Sequence, residues 1–187
     1  MKTISKLPKA TYLLLFLFLI SVATSCKKEE KNKGSYFGSS QREDISKLIT
    51  KEDIRSIFEL DNDHEIEHKE KKSAISSFDW EMPSDKKLFY SVKLNFARGD
   101  RRSSSVIDKI WEGQSKSVYQ EKGLQEVSDV GDKASWSTMA GGQLRVTADG
   151  YLFFVSFFVN PKKDNPLSKD EMIDKASALA KQVIKRM

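Results

Sequence analysis

Residues 151–159 read Tyr-Leu-Phe-Phe-Val-Ser-Phe-Phe-Val, apolar at every position but one. A strand with one wet face alternates apolar with polar residues, and this run does not. It therefore predicts a central strand covered on both sides. A chain that contains it has to stack further layers around a sheet, and the rest of the sequence supplies both strands and helices for that purpose.

Leu88, Tyr90, Val92, Leu94 and Phe96 alternate with Ser91, Lys93 and Asn95, the period of two that buries one face. Ahead of them, the charged residues 64–71 predict an edge strand, where charge discourages pairing with other chains. Residues 73–82 predict a second strand, stopped by Pro83-Ser84-Asp85. Thr50 followed by Asp53 is a weak capping box opening a helix with Ile54, Ile57 and Phe58 on one face, ended by Leu60 and Asp61-Asn62-Asp63. Ser103 to Ser105 cap a second helix running to about Glu121, with Val106, Ile107, Ile110, Trp111 and Val118 as its apolar stripe and Gly123 as its stop.

The second half repeats that grammar. A short irregular strand at 124–130 and the turn Gly131-Asp132 lead into strands at 134–139, 143–148 and 151–159. Gly141-Gly142 and Asp149-Gly150 are read as two-residue hairpin loops that supply positive φ. After a loop at 160–166, residues 168–187 form an amphipathic helix with Met172, Ile173, Ala176, Leu179, Ala180, Val183 and Ile184 at helical spacing. The order helix, meander, helix, meander, helix predicts an α+β domain, an antiparallel sheet of two meanders packed against helices, over residues 43–187. The two halves share that order without residue-level identity.

The N-terminus belongs to a different kind of object. Lys2, Lys6 and Lys9 precede an apolar run, Tyr12 to Ile20, and a small-residue approach, Ser21-Val22-Ala23-Thr24-Ser25, that ends at Cys26. This is the layout of an export signal, residues 1–25, and its apolar run is too short to span a bilayer. Ala23-Thr24-Ser25-Cys26 resembles the lipobox of bacterial lipoproteins, although the family more often has Leu where Ala23 stands. The resemblance implies that Cys26 is diacylglycerylated, carries fatty acyl (palmitate) chains and becomes the first mature residue. As the only cysteine of an exported chain it has no disulfide partner, which agrees with that use. Lys28-Glu29-Glu30 resembles the lipoprotein export motif of Bacteroidota, which implies an outer-membrane lipoprotein at the cell surface, the alternative being the periplasmic face. Several acyl chains bury enough methylenes for stable anchoring, whereas one does not. Residues 26–42 are the acylated cysteine and a polar, Gly/Ser-rich flexible tether.

This division explains the charge. The chain holds 32 Lys and Arg against 27 Asp and Glu, a basic balance that superficially suggests nucleic acid. The excess sits in the export signal and tether, and from Gly34 to Met187 there are 25 of each sign. A phosphate-binding surface needs a cationic excess, so no nucleic-acid partner is expected.

Val130-Gly131-Asp132, Ala134 and Trp136, followed by Gln143-Leu144-Arg145-Val146 and the Ala178-Leu179-Ala180 helix, resemble a loose group of small exported bacterial lipoprotein domains, some with a Mog1/PsbP-like fold. The resemblance covers about residues 124–187 and implies binding or assembly rather than chemistry.

Motifs for catalysis are sparse. No G-x-S-x-G elbow occurs, and Ser84-Asp85-Lys86-Lys87 matches S-x-x-K in a turn rather than on a helix. His64 and His68 stand beside Asp61, Asp63, Glu65 and Glu67, but on a strand imidazoles four residues apart are about 13 Å apart, too far to share a metal. Asp61-Asn62-Asp63 begins like a calcium loop and then lacks the Gly and Glu, which are replaced by Ile66 and Lys72. Arg98-Gly99-Asp100 is a tripeptide that integrins recognise, although a strand-to-helix turn calls for Gly and Asp on its own account. Arg101 and Arg102 add a small cationic spot, and Trp80, Trp111 and Trp136 are read as core before ligand groove.

The expected function is a membrane-anchored lipoprotein presenting a non-catalytic binding domain, held to the membrane through the lipid on Cys26 and meeting a protein or envelope component. No catalytic residue, metal ligand or cofactor is assigned. The alternatives are a host-facing adhesin and an envelope-polymer hydrolase or lyase, whose carboxylates are drawn from Glu126, Asp129 and Asp132. A cleft holding two of these within about 5–10 Å is the geometry that hydrolysis requires.

Overall fold

The computed structural model describes residues 44–71, 75–82, 88–97 and 101–187. The export signal, Cys26, Lys28, Glu29, Glu30, the tether, the Ser84-Asp85-Lys86-Lys87 turn and Arg98-Gly99-Asp100 lie outside the described residues. Among the described residues no helix is long and apolar enough to cross a membrane.

Seven strands form one antiparallel sheet: β1 (Glu67–Lys71), β2 (Ile75–Met82), β3 (Leu88–Phe96), β4 (Gln125–Glu126), β5 (Lys133–Ser137), β6 (Gln143–Ala148) and β7 (Tyr151–Asn160). Their order is β1-β2-β3-β7-β6-β5-β4, so two meanders meet at the centre, where β7 pairs with β3. Among the described residues three α-helices complete the α+β domain: α1 (Lys51–Phe58), α2 (Ser104–Ser115) and α3 (Lys169–Arg186).

The doubly apolar run is the central strand. Its odd-numbered residues, Phe153, Val155, Phe157 and Val159, oppose Phe96, Leu94, Val92 and Tyr90 of β3 and join the main core with α1 and α3. Its even-numbered residues Leu152 and Phe154 face the other way, into a smaller cluster with Ile107, Tyr119 and the partly buried Ile110 and Trp111 of α2. The cover on this second face stops there: Phe158, which shares it, is 51% exposed, so the expectation of a strand covered on both sides holds only for its first half. Burying each covered side chain is worth about 1.5–3 kcal/mol.

Helices α1 and α3 both start on reciprocal capping boxes, Thr50 with Asp53 and Ser168 with Glu171. Asp53 also receives both Nη groups of Arg186 from the last turn of α3, and Lys175 Nζ donates to Ile57 O at 2.7 Å. These contacts tie the first helix to the last. Ahead of α1 a 3-10 turn, Ile45–Lys47, sets Ile45, Leu48 and Ile49 into the core, an anchor that periodicity does not signal.

Several boundaries differ from the sequence expectation. The second helix ends at Ser115 rather than near Glu121, because Ser115 and Ser117 hydroxyls take the carbonyls of Trp111 and Gly113 and Tyr119 turns inward to become 3% exposed. Val106 and Val118, read as part of its stripe, are exposed. Gly141-Gly142 is not a two-residue hairpin: β5 stops at Ser137, and five residues with a 3-10 turn lead to Gln143. Asp149-Gly150 does form one, with Ala148 opposite Tyr151 and both turn residues at positive φ. The irregular strand at 124–130 pairs only at Gln125–Glu126.

Candidate functional site

Helix α2 lies across the second face of the sheet, and under its C-terminal end stands Arg145 of β6. The residue is 1% exposed. Its guanidinium sits 3.6 Å from the Trp111 ring centroid and 4.6 Å from that of Tyr119. Nη1 donates to Trp111 O at 3.2 Å and Gln114 Oε1 at 3.3 Å, and Nη2 donates to Ser115 Oγ at 2.8 Å. Tyr119 is held in turn by its hydroxyl, which donates to Gln143 Oε1. The carbonyl end of a helix favours a cation, and desolvated cation–π contacts add about 2 kcal/mol or more, so part of the burial is compensated.

The compensation is incomplete. A guanidinium carries five N–H donors, and three are used here. Nε has no acceptor, and among the described residues no carboxylate pairs with Arg145. Taking a charge out of water costs several kcal/mol, and protein interiors ordinarily answer it with an opposite charge. Burial pulls the Arg145 pKa below its ordinary value, the Tyr119 hydroxyl opposing, while arginine stays protonated throughout the physiological range.

Arg145 lines a cavity of about 540 Å³ between α2 and the segment from β4 to β5. Strand register fixes what stands beside it. Ser135 is directly opposite Arg145, and Glu126 is directly opposite Ser135, so Glu126, Ser135 and Arg145 form one row on the same face. At about 4.8 Å per strand the outer two have Cα atoms about 10 Å apart. Ser135 is 7% exposed, and among the described residues its Oγ has no hydrogen-bond partner. Arg145 and Ser135 both border the cavity, while Nε and Oγ themselves are closed off from it.

Its rim is acidic. Glu126, Asp129 and Asp132 all line the cavity, all are exposed, and none forms an ion pair among the described residues. Lys133, also on the rim, is engaged with Asp108 at 2.6 Å. The loop that carries the two aspartates is held tightly: Asp129 and Gly131 are at φ 60° and 62°, and Asp132 N–H donates to Thr147 O at 2.7 Å. A Cβ on Gly131 would stand 2.4 Å from Thr147 O, so only glycine fits. Val130, Ala134 and Trp136 of the same stretch are buried in the main core. The Val-Gly-Asp-x-Ala-x-Trp pattern therefore alternates core anchors with the loop that presents the rim.

The other candidates separate into structural roles. His64 Nε2 is 2.5 Å from Glu81 O, and His68 stacks on Phe78 at 4.4 Å with Ser76 Oγ at 2.7 Å. Among the described residues no group of three or more His, Cys, Asp or Glu could hold a metal. Trp80 and Trp136 are buried core residues, and Trp111 lines the cavity beside Arg145. Arg101 is bound to Asp149 across the β6–β7 turn rather than forming a free cationic spot. A second cavity, of about 490 Å³ near the end of β7, is lined by Phe158, Leu167 and Met172 with Lys93 and Lys162 at hand, but its cations are exposed.

Arg145 was named only as part of the Gln143–Val146 segment of the resemblance, and neither it nor Ser135 was singled out as a site residue. Each sits at a polar position of an alternating strand, where exposure is the ordinary outcome; the signal was the doubly apolar run at 151–159, which requires a cover over that face. No protein-family model, curated protein or solved structure matches the chain.

Proposed function

We propose that the chain is a lipid-anchored envelope lipoprotein whose folded domain binds a small polar ligand in the cavity over Arg145, without chemistry. The observation that carries the binding part is the cavity of about 540 Å³ under α2, with the buried Arg145 and Ser135 among its lining residues and the exposed Glu126, Asp129 and Asp132 at its rim. Support for the anchored part comes from the lipobox-like Ala23-Thr24-Ser25-Cys26 and the following Lys28-Glu29-Glu30, which favour the outer membrane and its outer face.

A second reading rests on one observation: Glu126, Asp129 and Asp132 gather on the same rim. A hydrolase working on envelope polymers needs such a pair, with one carboxyl set in an apolar pocket that keeps it protonated. All three are exposed, which favours binding over acid catalysis.

The test is mass spectrometry of full-length protein extracted in mild detergent. The binding reading expects a retained small molecule that Ser135→Leu, which fills the cavity floor, no longer carries. The same spectrum from both proteins would contradict it, and turnover of an envelope glycan abolished by Glu126→Gln would establish the hydrolase instead.

A further inference from the structure

The second cavity, at the far end of β7, has a different chemistry and carries an inference independent of the site over Arg145. It exists because β6 stops short. Ser156 is the last residue of β7 to pair with β6; Phe157 N–H then takes Gly142 O at 2.8 Å, and the 3-10 turn Met139–Gly141 passes beside the strand. Beyond that point no strand covers this edge of β7 among the described residues. Phe158, on the face that α2 covers over Leu152 and Phe154, is 51% exposed there. The opening of about 490 Å³ has the size of a small-molecule pocket, roughly 300–1,000 Å³.

Its walls are apolar and its charges have one sign. Phe158, Leu167 and Met172 line it together with Lys93 and Lys162, and among the described residues no carboxylate lines it. Neither lysine is in an ion pair among the described residues. Lys93 stands directly opposite Ser156 across β3 and β7. Ser156 Oγ accepts from Gln143 Nε2 at 2.8 Å, so its own proton is left to donate into the cavity that it lines. Both lysines are exposed, with the half-buried Leu167 and Met172 behind them, so a charged head group reaches the cations from solvent.

This combination selects among ligands. A cation is repelled by the lysines, a neutral hydrocarbon gains nothing from them, and an inorganic anion leaves Phe158 and Leu167 in water. A chain of methylenes ending in a carboxylate uses both halves, and each methylene buried strengthens binding about fourfold. We infer that the cavity binds a single-chain anionic amphiphile of the fatty-acid class. Its carboxylate lies at Lys93, Lys162 and the Ser156 hydroxyl, and its chain lies against Phe158, Leu167 and Met172.

The probe is dodecanoic acid with a diazirine at the end of its chain, photolysed with the full-length protein in phosphatidylcholine vesicles and mapped by peptide mass spectrometry. Label is expected in the peptides that carry Phe158, Leu167 and Met172. Lys93→Gln combined with Lys162→Gln, two exposed changes that spare the fold, should lower it about fivefold. Unlabelled dodecanoate should displace the probe about fivefold better than dodecanol at the same mole fraction in the vesicles. Absence of label, label confined to other peptides, or equal label in the lysine variant would overturn the site. Displacement by dodecanol as effective as by dodecanoate would overturn the anionic assignment.

Discussion

Ser135 and Arg145 face each other across β5 and β6, and each keeps a buried polar atom without a partner. A buried polar atom without a partner costs stability. Removing the hydroxyl removes its share of the cost, so Ser135→Ala should raise the unfolding free energy by about 1 kcal/mol, read as a higher melting temperature of the full-length protein. A loss of stability would mean that the hydroxyl has a partner.

Arg145 should behave in the opposite way. Arg145→Met deletes the donors to Trp111 O, Gln114 Oε1 and Ser115 Oγ, although Trp111 O keeps the Ser115 hydroxyl. About 2–4 kcal/mol of stability should be lost, and denaturant unfolding would register it as a lower midpoint with an unchanged slope.

The link between the first and last helices sets the acid limb. Burial raises the Asp53 carboxyl, but the hydrogen bonds from Arg186 and Thr50 outweigh it and hold the pKa below its ordinary value. A lowered folded value means that this stabilisation is complete above the unfolded value of about 4 and disappears as pH falls through the folded value. Asp53→Asn should cost about 1–2 kcal/mol at neutral pH and flatten the stability profile below about pH 4. A parallel profile in the variant would contradict the assignment.

Two left-handed residues give changes of opposite sign. Glu59 closes α1 at φ 57°, where Glu59→Gly relieves strain and should stabilise by up to about 1 kcal/mol. Gly131→Ala adds a Cβ 2.4 Å from Thr147 O at φ 62° and should cost at least about 2 kcal/mol, with the rim loop displaced. Thermal melts of both variants check the pair.

Anchoring is tested at Cys26. Cys26→Ala should abolish incorporation of a fatty-acid probe and release the protein from the membrane fraction, and persistent labelling would contradict the lipobox assignment. Changing Lys28, Glu29 and Glu30 to Ala should protect the domain from protease added to intact cells.

Much of the fold was legible because it follows local rules. Alternation marked Leu88 to Phe96, Thr50 and Asp53 announced their capping box, and Asp149-Gly150 its hairpin. The pairing of β3 with β7 was not, since two meanders can join at either edge and only tertiary packing selects one. The end of α2 was missed because Ser115, Ser117 and Arg145 take up its last carbonyls, contacts invisible to a 3.6-residue period. Of the site, Glu126, Asp129 and Asp132 were identified as candidate carboxylates, and the structure brings them to one cavity. Arg145 escaped because a charged residue in an alternating strand reads as solvated until α2 is known to lie over it.

The central claim is that the cavity bordered by Arg145, Ser135 and Glu126 holds a small polar ligand. Mass spectrometry of the full-length protein extracted in mild detergent, beside Ser135→Leu, tests it most directly. The account predicts a small molecule retained by the protein and lost from the variant. The same spectrum from both proteins would contradict it.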